Sequence, residues 1–160
     1  MLKPGDTIPE ATFQVLREGV EFIDTPTLFD GRPVLLFAVP GAFTPTCSER
    51  HLPGFVEAMP EFRRRGIDVA CLSVNDAFVM QAWARAHDVP DDLHMLSDGN
   101  GEFVRATGLD LDASGYGMGT RAKRFALYAE DRVVKLLEVD APGEFRATAA
   151  DFMLTRIPAA

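Results

Sequence analysis

Short apolar runs alternate with longer amphipathic stretches along most of the chain. The runs at residues 34–39, 67–74 and 93–96 are rich in aliphatic side chains and predict buried strands. The stretches that follow predict helices, because their apolar residues recur with helical spacing. These helices are expected near residues 45–65, 76–87, 102–107 and 148–155. A regular alternation of strand and helix is typical of α/β proteins.

Two hairpins are predicted outside this alternating part. Residues 120–128 and 132–139 predict one near the end of the chain, and the stretch 108–119 before it contains four glycines and predicts a flexible loop. Residues 12–23 predict an additional N-terminal β-hairpin. Its single buried face is expected to hold Phe13, Val15, Val20 and Phe22.

Two helices carry more detailed expectations. In the helix from 45 to 65, Pro53-Gly54 predicts a kink, since proline has no amide proton for the helical ladder. In the helix from 76 to 87, the apolar spacing predicts an inner face made of Phe78, Ala82, Trp83 and Ala86.

Composition limits the class of protein. The 160 residues are 47% apolar and 25% charged, which suits one compact domain over residues 1–160. The net charge of −8 argues against a nucleic acid or an anionic membrane as partner. We find no apolar stretch of signal-peptide or membrane-spanning length, and two cysteines do not make a disulfide framework. We therefore expect a cytoplasmic protein.

Cys47 is the strongest candidate for chemistry. After the strand 34–39 and Pro40-Gly41, Thr44 is a good N-cap and Pro45 suits the first helical position, so that Cys47 takes the third. Amide N–H groups in the first helical turn lack partners and carry partial positive charge, which favours a thiolate. Isolated cysteines are usually inert, but this position predicts a nucleophile.

The surroundings of Cys47 narrow the reaction. A dithiol oxidoreductase would have a second cysteine where Thr44 stands, so exchange within one motif is excluded. The Thr44 hydroxyl can instead hydrogen-bond a small polar substrate above the helix end. A hydroperoxide, with its two adjacent oxygens, suits that arrangement.

The stretch 40–48, Pro-Gly-Ala-Phe-Thr-Pro-Thr-Cys-Ser, with His-Leu-Pro-Gly-Phe at 51–55, resembles the active-site signature of type II, peroxiredoxin-5-like peroxiredoxins. Segments 70–79, 83–87 and 123–125 are similar to that subfamily in the same order. The resemblance implies a thioredoxin-like α/β fold, with a central mixed sheet flanked by helices and an extra N-terminal β-hairpin. It also implies reduction of hydrogen peroxide and organic hydroperoxides through a cysteine sulfenic acid, without metal or cofactor.

The resemblance also assigns residues. Lys-Arg-Phe at 123–125 is similar to the segment that supplies the active-site arginine, which selects Arg124 rather than Arg121. Its guanidinium keeps its charge and presents a rigid fork of donors. Arg124 and Thr44 would hold the peroxide, Pro40 would shape the pocket, and Arg85 would orient the site from behind or lie at the surface.

His51 follows Cys47 by four residues, which on a continuous α-helix places both on one face. We expect a packing or hydrogen-bonding role for it. A zinc site needs further ligands, and His87, His94 and Cys71 lack suitable spacing, so no metal site is predicted. A cysteine hydrolase is also disfavoured, because a helical neighbour is seldom held as a general base by a third group.

Recycling is expected to need an external thiol. Cys71 lies within a predicted strand, where a buried structural role is expected, and Thr148 stands in the region where some relatives carry a resolving cysteine. Glutathione, glutaredoxin or thioredoxin would then act as reductant. The resemblance also implies a homodimer, to which Ala42-Phe43 would contribute a buried contact. The alternative is a thioredoxin-like redox-sensing or binding module with little turnover.

Overall fold

A computed structural model describes residues 1–159. Its strands are β1 (Thr12–Leu16), β2 (Val20–Asp24), β3 (Pro33–Ala38), β4 (Asp68–Ser73), β5 (Leu93–Ser97), β6 (Asp110–Asp112), β7 (Thr120–Ala122), β8 (Arg124–Glu130) and β9 (Val133–Asp140). Its α-helices are α1 (Thr25–Phe29), α2 (Leu52–Arg64), α3 (Ala77–Ala86), α4 (Glu102–Thr107) and α5 (Ala150–Arg156). A π-helical turn (Cys47–His51) precedes α2, and a 3₁₀ turn (Ser114–Tyr116) follows β6.

Seven strands form one mixed sheet in the order β2-β1-β5-β4-β3-β8-β9. The central strands β3, β4 and β5 are parallel, whereas β8 and β9 continue the sheet antiparallel on one side. The N-terminal hairpin β1-β2 joins the other side through β5. The predicted class, a central mixed sheet flanked by helices with an added N-terminal hairpin, is confirmed.

Strand β3 is buried on both faces of the sheet, which explains its continuous apolar sequence. Val34, Leu36 and Ala38 contribute to the apolar core on one side of the sheet. Leu35 and Phe37 face the opposite core, which also contains Cys47, Phe55 and Cys71. The ring of Phe37 stacks on that of Phe55, with centroids 3.9 Å apart. The helix that follows Cys47 is therefore fixed directly against the central strand.

The N-terminal hairpin buries only part of its predicted face. Phe13 and Val15 are buried, but Val20 is 44% and Phe22 is 70% exposed. The turn between β1 and β2 sets a register in which Phe13 pairs with Ile23 and Gln14 with Phe22. Directly opposed residues share a face of the sheet, so Phe22 points away from the core together with Gln14. The prediction for Val20 and Phe22 was wrong.

The predicted inner face of α3 was also wrong, except at Trp83. Ala77, Met80 and Trp83 are buried, whereas Phe78 is 62% exposed. Ala82 and Ala86 are exposed as well. The helix therefore buries positions three apart, starting at Ala77.

The expected loop 108–119 is more ordered than its glycines suggest. It contains β6, which pairs with β7 as a separate two-stranded sheet. The strand predicted over 120–128 is consequently divided at Lys123, whose amide donates to the carbonyl of Leu109 at 2.8 Å. Arg124 begins the next strand, β8, at the end of this junction.

Candidate active site

Cys47 lies in the first helical turn after β3, as predicted. The helical conformation begins at Pro45, which makes Cys47 the third residue in it. Phe43 has a φ of 64°, in the left-handed region, and this allows the chain to turn sharply between Gly41 and the helix. The Cys47 side chain is fully buried.

A π-helical turn, Cys47–His51, directly precedes the region of Pro53-Gly54 where a kink is predicted. The amide of Leu52 donates to the carbonyl of Cys47, five residues back. Pro53 has no N–H with which to bond the carbonyl of Glu49, so regular α-helical bonding is interrupted at this point. Such single π turns occur frequently at functional sites.

Arg124 contacts both Cys47 and His51, although it lies 77 positions after Cys47 in the sequence. Its Nη2 donates to Cys47 Sγ at 3.1 Å. A second guanidinium nitrogen, Nη1, lies 2.8 Å from His51 Nδ1. The guanidinium carries a delocalised positive charge, so this contact places a charged hydrogen-bond donor directly on the sulfur. Hydrogen bonds of this charge-assisted kind are about twice as strong as neutral ones.

His51 is fully buried and contacts Arg124 directly. Burial, reinforced by the positive charge of Arg124, lowers the pKa of His51 from 6.5 to about 3. The imidazole is therefore neutral near pH 7. Because Nδ1 faces the guanidinium, we assign it as the acceptor, and Nε2–H then donates to the carbonyl of Thr148 at 3.1 Å.

Thr44 has a different local role from the predicted cap. Its Oγ1 donates to the carbonyl of Gly41 at 2.6 Å, while its own carbonyl accepts from the amide of Ser48. The hydroxyl proton is therefore used in the hydrogen bond to Gly41. The oxygen lone pairs remain available as acceptors for a substrate O–H group.

Pro40 and Arg124 line the same cavity, whose volume is about 280 Å³. Leu111, Val139 and Pro142 contribute apolar surface, and the charged residues Lys123, Asp140 and Glu144 also line the cavity. A larger cavity of about 730 Å³ is lined by Arg17, Arg85 and His94, and by neither Pro40 nor Arg124. Thr44 and Cys47 line neither of the two cavities. We assign the smaller cavity to the site, because the arginine that contacts the sulfur forms part of its wall.

Arg85 lies apart from this arrangement. It is exposed near the end of α3, lines the larger cavity, and makes no side-chain hydrogen bond to Cys47 or Arg124. The structure therefore gives no support to the expectation that it orients the site. Arg121, the rejected candidate, donates to the carbonyl of Met118 at 2.9 Å.

Cys71 is fully buried in β4, where its register partner on β3 is Phe37. Burial raises the pKa of its thiol well above the ordinary value, with a further contribution from Cys47. The Cys71 side chain is consequently a neutral thiol under ordinary conditions. Both cysteines are free.

Two contacts near the site were not predicted from the sequence. Trp83 Nε1 donates to Ser48 Oγ at 3.0 Å, which links α3 to the residue after Cys47. Asp140, at the end of β9, pairs in register with Arg124 and accepts hydrogen bonds from residues 146–148. No periodic pattern marks either contact. A carboxylate before Ala-Pro-Gly is ordinary at a strand end.

Within residues 1–159, no group of three or more His, Cys, Asp or Glu side chains is arranged to hold a metal ion. None of the helices described there has the length and apolar character needed to cross a membrane.

Comparison with known proteins gives a consistent result. Residues 3–151 match the model of the Redoxin family. Peroxiredoxin-2E, chloroplastic, of Arabidopsis thaliana is 47% identical over 94% of this chain and 67% of its own. Peroxiredoxin-2B of the same plant is 40% identical over 94% of both chains. Reduced Prx3 of Vibrio vulnificus, solved in complex with H₂O₂, is 43% identical and superposes with a TM-score of 0.93 over 98% of this chain and 99% of its own.

The chain therefore belongs to the Redoxin family and is a thiol peroxidase of the peroxiredoxin class. The superposition also confirms the predicted thioredoxin-like fold. Within that class the chain is a type II, peroxiredoxin-5-like peroxiredoxin, as the residues around Cys47 indicated.

Proposed function

We propose that this peroxiredoxin reduces hydrogen peroxide and organic hydroperoxides through a sulfenic acid on Cys47, and that glutathione with glutaredoxin recycles it. Thioredoxin is the alternative reductant. The observation that supports this proposal most directly is the position of Arg124, with one nitrogen on the sulfur and the guanidinium in the wall of the Pro40 cavity. No metal or organic cofactor takes part in the proposed reaction.

The first step is an in-line displacement at the terminal peroxide oxygen. The Cys47 thiolate forms an S–O bond as the O–O bond breaks, so sulfur is oxidised by two electrons and the peroxide is reduced. The leaving oxygen departs as hydroxide or alkoxide and takes a proton from solvent. Arg124 stabilises the negative charge that develops on that oxygen.

Thr44 and Pro40 complete the proposed site. Because the Thr44 hydroxyl proton is donated to Gly41, its oxygen can accept the proton-bearing end of the peroxide and orient it toward Sγ. Pro40 forms part of the cavity wall beside Arg124 and shields the sulfenic acid. The apolar side chains Leu111 and Val139 give an organic substituent a surface to contact.

The choice of an external reductant rests on Cys71 and Thr148. Cys71 is fixed in a central strand with its thiol protonated, and Thr148 occupies the C-terminal position considered for a resolving cysteine. An internal disulfide would need the two sulfurs at bonding distance, about 2 Å. Two free cysteines also agree with the proposal of a reducing, cytoplasmic location.

A coupled assay tests this function. Reduced protein is supplied with hydrogen peroxide or cumene hydroperoxide, first with glutathione and glutaredoxin and then with thioredoxin and its reductase. We expect turnover of both peroxides and faster turnover with the glutaredoxin system. Thr44→Val should slow both reactions severely. Faster turnover with thioredoxin would overturn the proposed reductant, and absence of peroxide consumption would overturn the activity.

The same assay distinguishes a peroxidase from the alternative function, a redox-sensing module with little turnover. Complete burial of Cys47 favours that alternative, because a thiol reductant has no direct access to a buried sulfur. Stoichiometric oxidation of Cys47, with negligible turnover in both reducing systems, is the result expected of a sensor.

We also propose that the protein forms a homodimer through the face that surrounds the active-site turn. Phe43 is 55% exposed in that turn, whereas Ala42 is buried within its own chain, so only Phe43 of the predicted pair is free for an intermolecular contact. The Ala42 amide donates to Asn75 Oδ1 at 3.0 Å, which holds the turn against the start of α3. Phe78, on that helix, is exposed as well.

A further inference from the structure

Asp140 lines the Pro40 cavity and also fixes the neighbouring segment 146–148. Its carboxylate accepts from the amides of Arg146, Ala147 and Thr148 at 2.9, 3.0 and 3.2 Å, and from Thr148 Oγ1 at 2.7 Å. Burial opposes its charge, but these bonds outweigh burial and hold its pKa below the ordinary value. Asp140 is therefore ionised at neutral pH and fixes the backbone of residues 146–148.

That fixed backbone determines how His51 is oriented. The carbonyl of Thr148 accepts from His51 Nε2, so the ring can present only an unprotonated Nδ1 on its other side. Phe37, Phe55 and Phe145 surround the imidazole, with ring centroids 5.0 to 5.7 Å away. This packing leaves the ring little freedom to tilt.

His51 in turn presents a single acceptor to Arg124. The guanidinium uses Nη1 for His51 and Nη2 for Cys47, and its carbon lies 5.9 Å from the centre of the Phe145 ring. Arginine has several flexible torsions, and aiming one of its nitrogens at a sulfur has an entropic cost. The acceptor on His51 reduces that cost before the substrate arrives.

We propose that Asp140 and His51 are positioning residues that act in series, through the Thr148 carbonyl, to aim Arg124 at the Cys47 sulfur. The imidazole takes up and releases no proton in this role. It acts only as a hydrogen-bond acceptor of fixed orientation. The inference rests on the proposed function, because Arg124 is the group through which both residues act.

A double-mutant cycle between His51 and Arg124 tests whether His51 acts through Arg124. The variants are His51→Leu, His51→Gln, Arg124→Gln and the double variant His51→Leu with Arg124→Gln. Each is compared with wild type by the rate of peroxide consumption in a single turnover and by the ultraviolet absorbance of the Cys47 thiolate at neutral pH. Circular dichroism and urea unfolding show which variants fold.

We expect His51→Leu to lower the single-turnover rate about tenfold or more, as is typical when a hydrogen bond to a charged group is lost. It should also lower the thiolate absorbance. His51→Gln, whose amide can both accept from Arg124 and donate to Thr148, should restore most of both. The double variant should be no slower than Arg124→Gln alone, because residues that act in series are not additive.

Three results would each contradict the proposal that His51 acts through Arg124. They are a wild-type rate in His51→Leu, an additive loss of rate in the double variant, and no recovery of rate in a folded His51→Gln. If His51→Leu does not fold, Asp140→Asn takes its place in the same cycle, with the same expectations for rate and thiolate absorbance. An inactive wild type would contradict the proposed function itself, while the absorbance comparison would still decide whether His51 acts through Arg124.

Discussion

The buried neutral state of His51 predicts a specific loss of stability in acid. The unfolded chain binds a proton at this residue below about pH 6.5, whereas the folded protein binds it only near pH 3. Between these values the unfolded state holds more protons, so stability falls as pH falls. At about pH 5, some 1.5 units below 6.5, the cost to the folded state is about 2 kcal/mol, since one unit corresponds to about 1.4 kcal/mol.

The measurement is urea unfolding followed by circular dichroism at several pH values, for wild type and for His51→Gln. Burial also lowers the pKa of His94 and raises that of Asp98, so these groups add pH dependence of opposite signs. Both are present in the two proteins and cancel in the difference. The free energy of unfolding of wild type minus that of His51→Gln should decrease by about 2 kcal/mol on going from pH 7 to pH 5. Parallel curves would show that His51 is not buried as a neutral ring.

Further expectations concern chemistry and assembly. Cys47→Ser should abolish peroxidase activity, and Arg124→Gln should lower kcat/KM about 100-fold or more without unfolding, since it removes the charge that stabilises the leaving oxygen. Arg121→Gln is the matched control and should be mild; near-normal kinetics of Arg124→Gln would reverse the assignment. One equivalent of peroxide should add a single oxygen to Cys47 in intact-mass spectra, and added glutathione should convert it to a mixed disulfide. Cys71→Ser should turn over almost as fast as wild type with glutathione and glutaredoxin, whereas a disulfide between the two cysteines would make Cys71 the resolving residue. Light scattering at micromolar concentration should give a dimer mass for wild type and a smaller mass for Phe43→Ser; a monomeric wild type would exclude the dimer.

Local sequence was sufficient to predict the position of Cys47. The strand end at Pro40-Gly41 and the helix start at Thr44-Pro45 depend on backbone preferences of adjacent residues, which do not require knowledge of the rest of the fold. Arg124 lies 77 positions away from Cys47, and only the family resemblance selected it over Arg121. No local rule connects residues so distant in sequence.

The errors came from features that tertiary structure decides. Whether Phe22 points inward depends on the hairpin register, and a shift by one residue exchanges the two faces of a strand. The inner face of α3 depends on how the helix docks, and both of its candidate faces contained apolar residues. Asp140 was missed because three of its four hydrogen bonds come from backbone amides, which every sequence supplies.

Trp83 gives the protein a built-in optical probe. It is the only tryptophan in the chain, is fully buried, and donates to the side chain beside Cys47. Indole emission responds to solvent and to the loss of a hydrogen bond, so the fluorescence spectrum is sensitive to the conformation of the catalytic turn. Oxidation that leaves the turn closed should preserve blue-shifted emission, and opening of the turn to a reductant should shift it toward the red. Stopped-flow emission can therefore follow the opening and closing of the catalytic turn in the unlabelled protein.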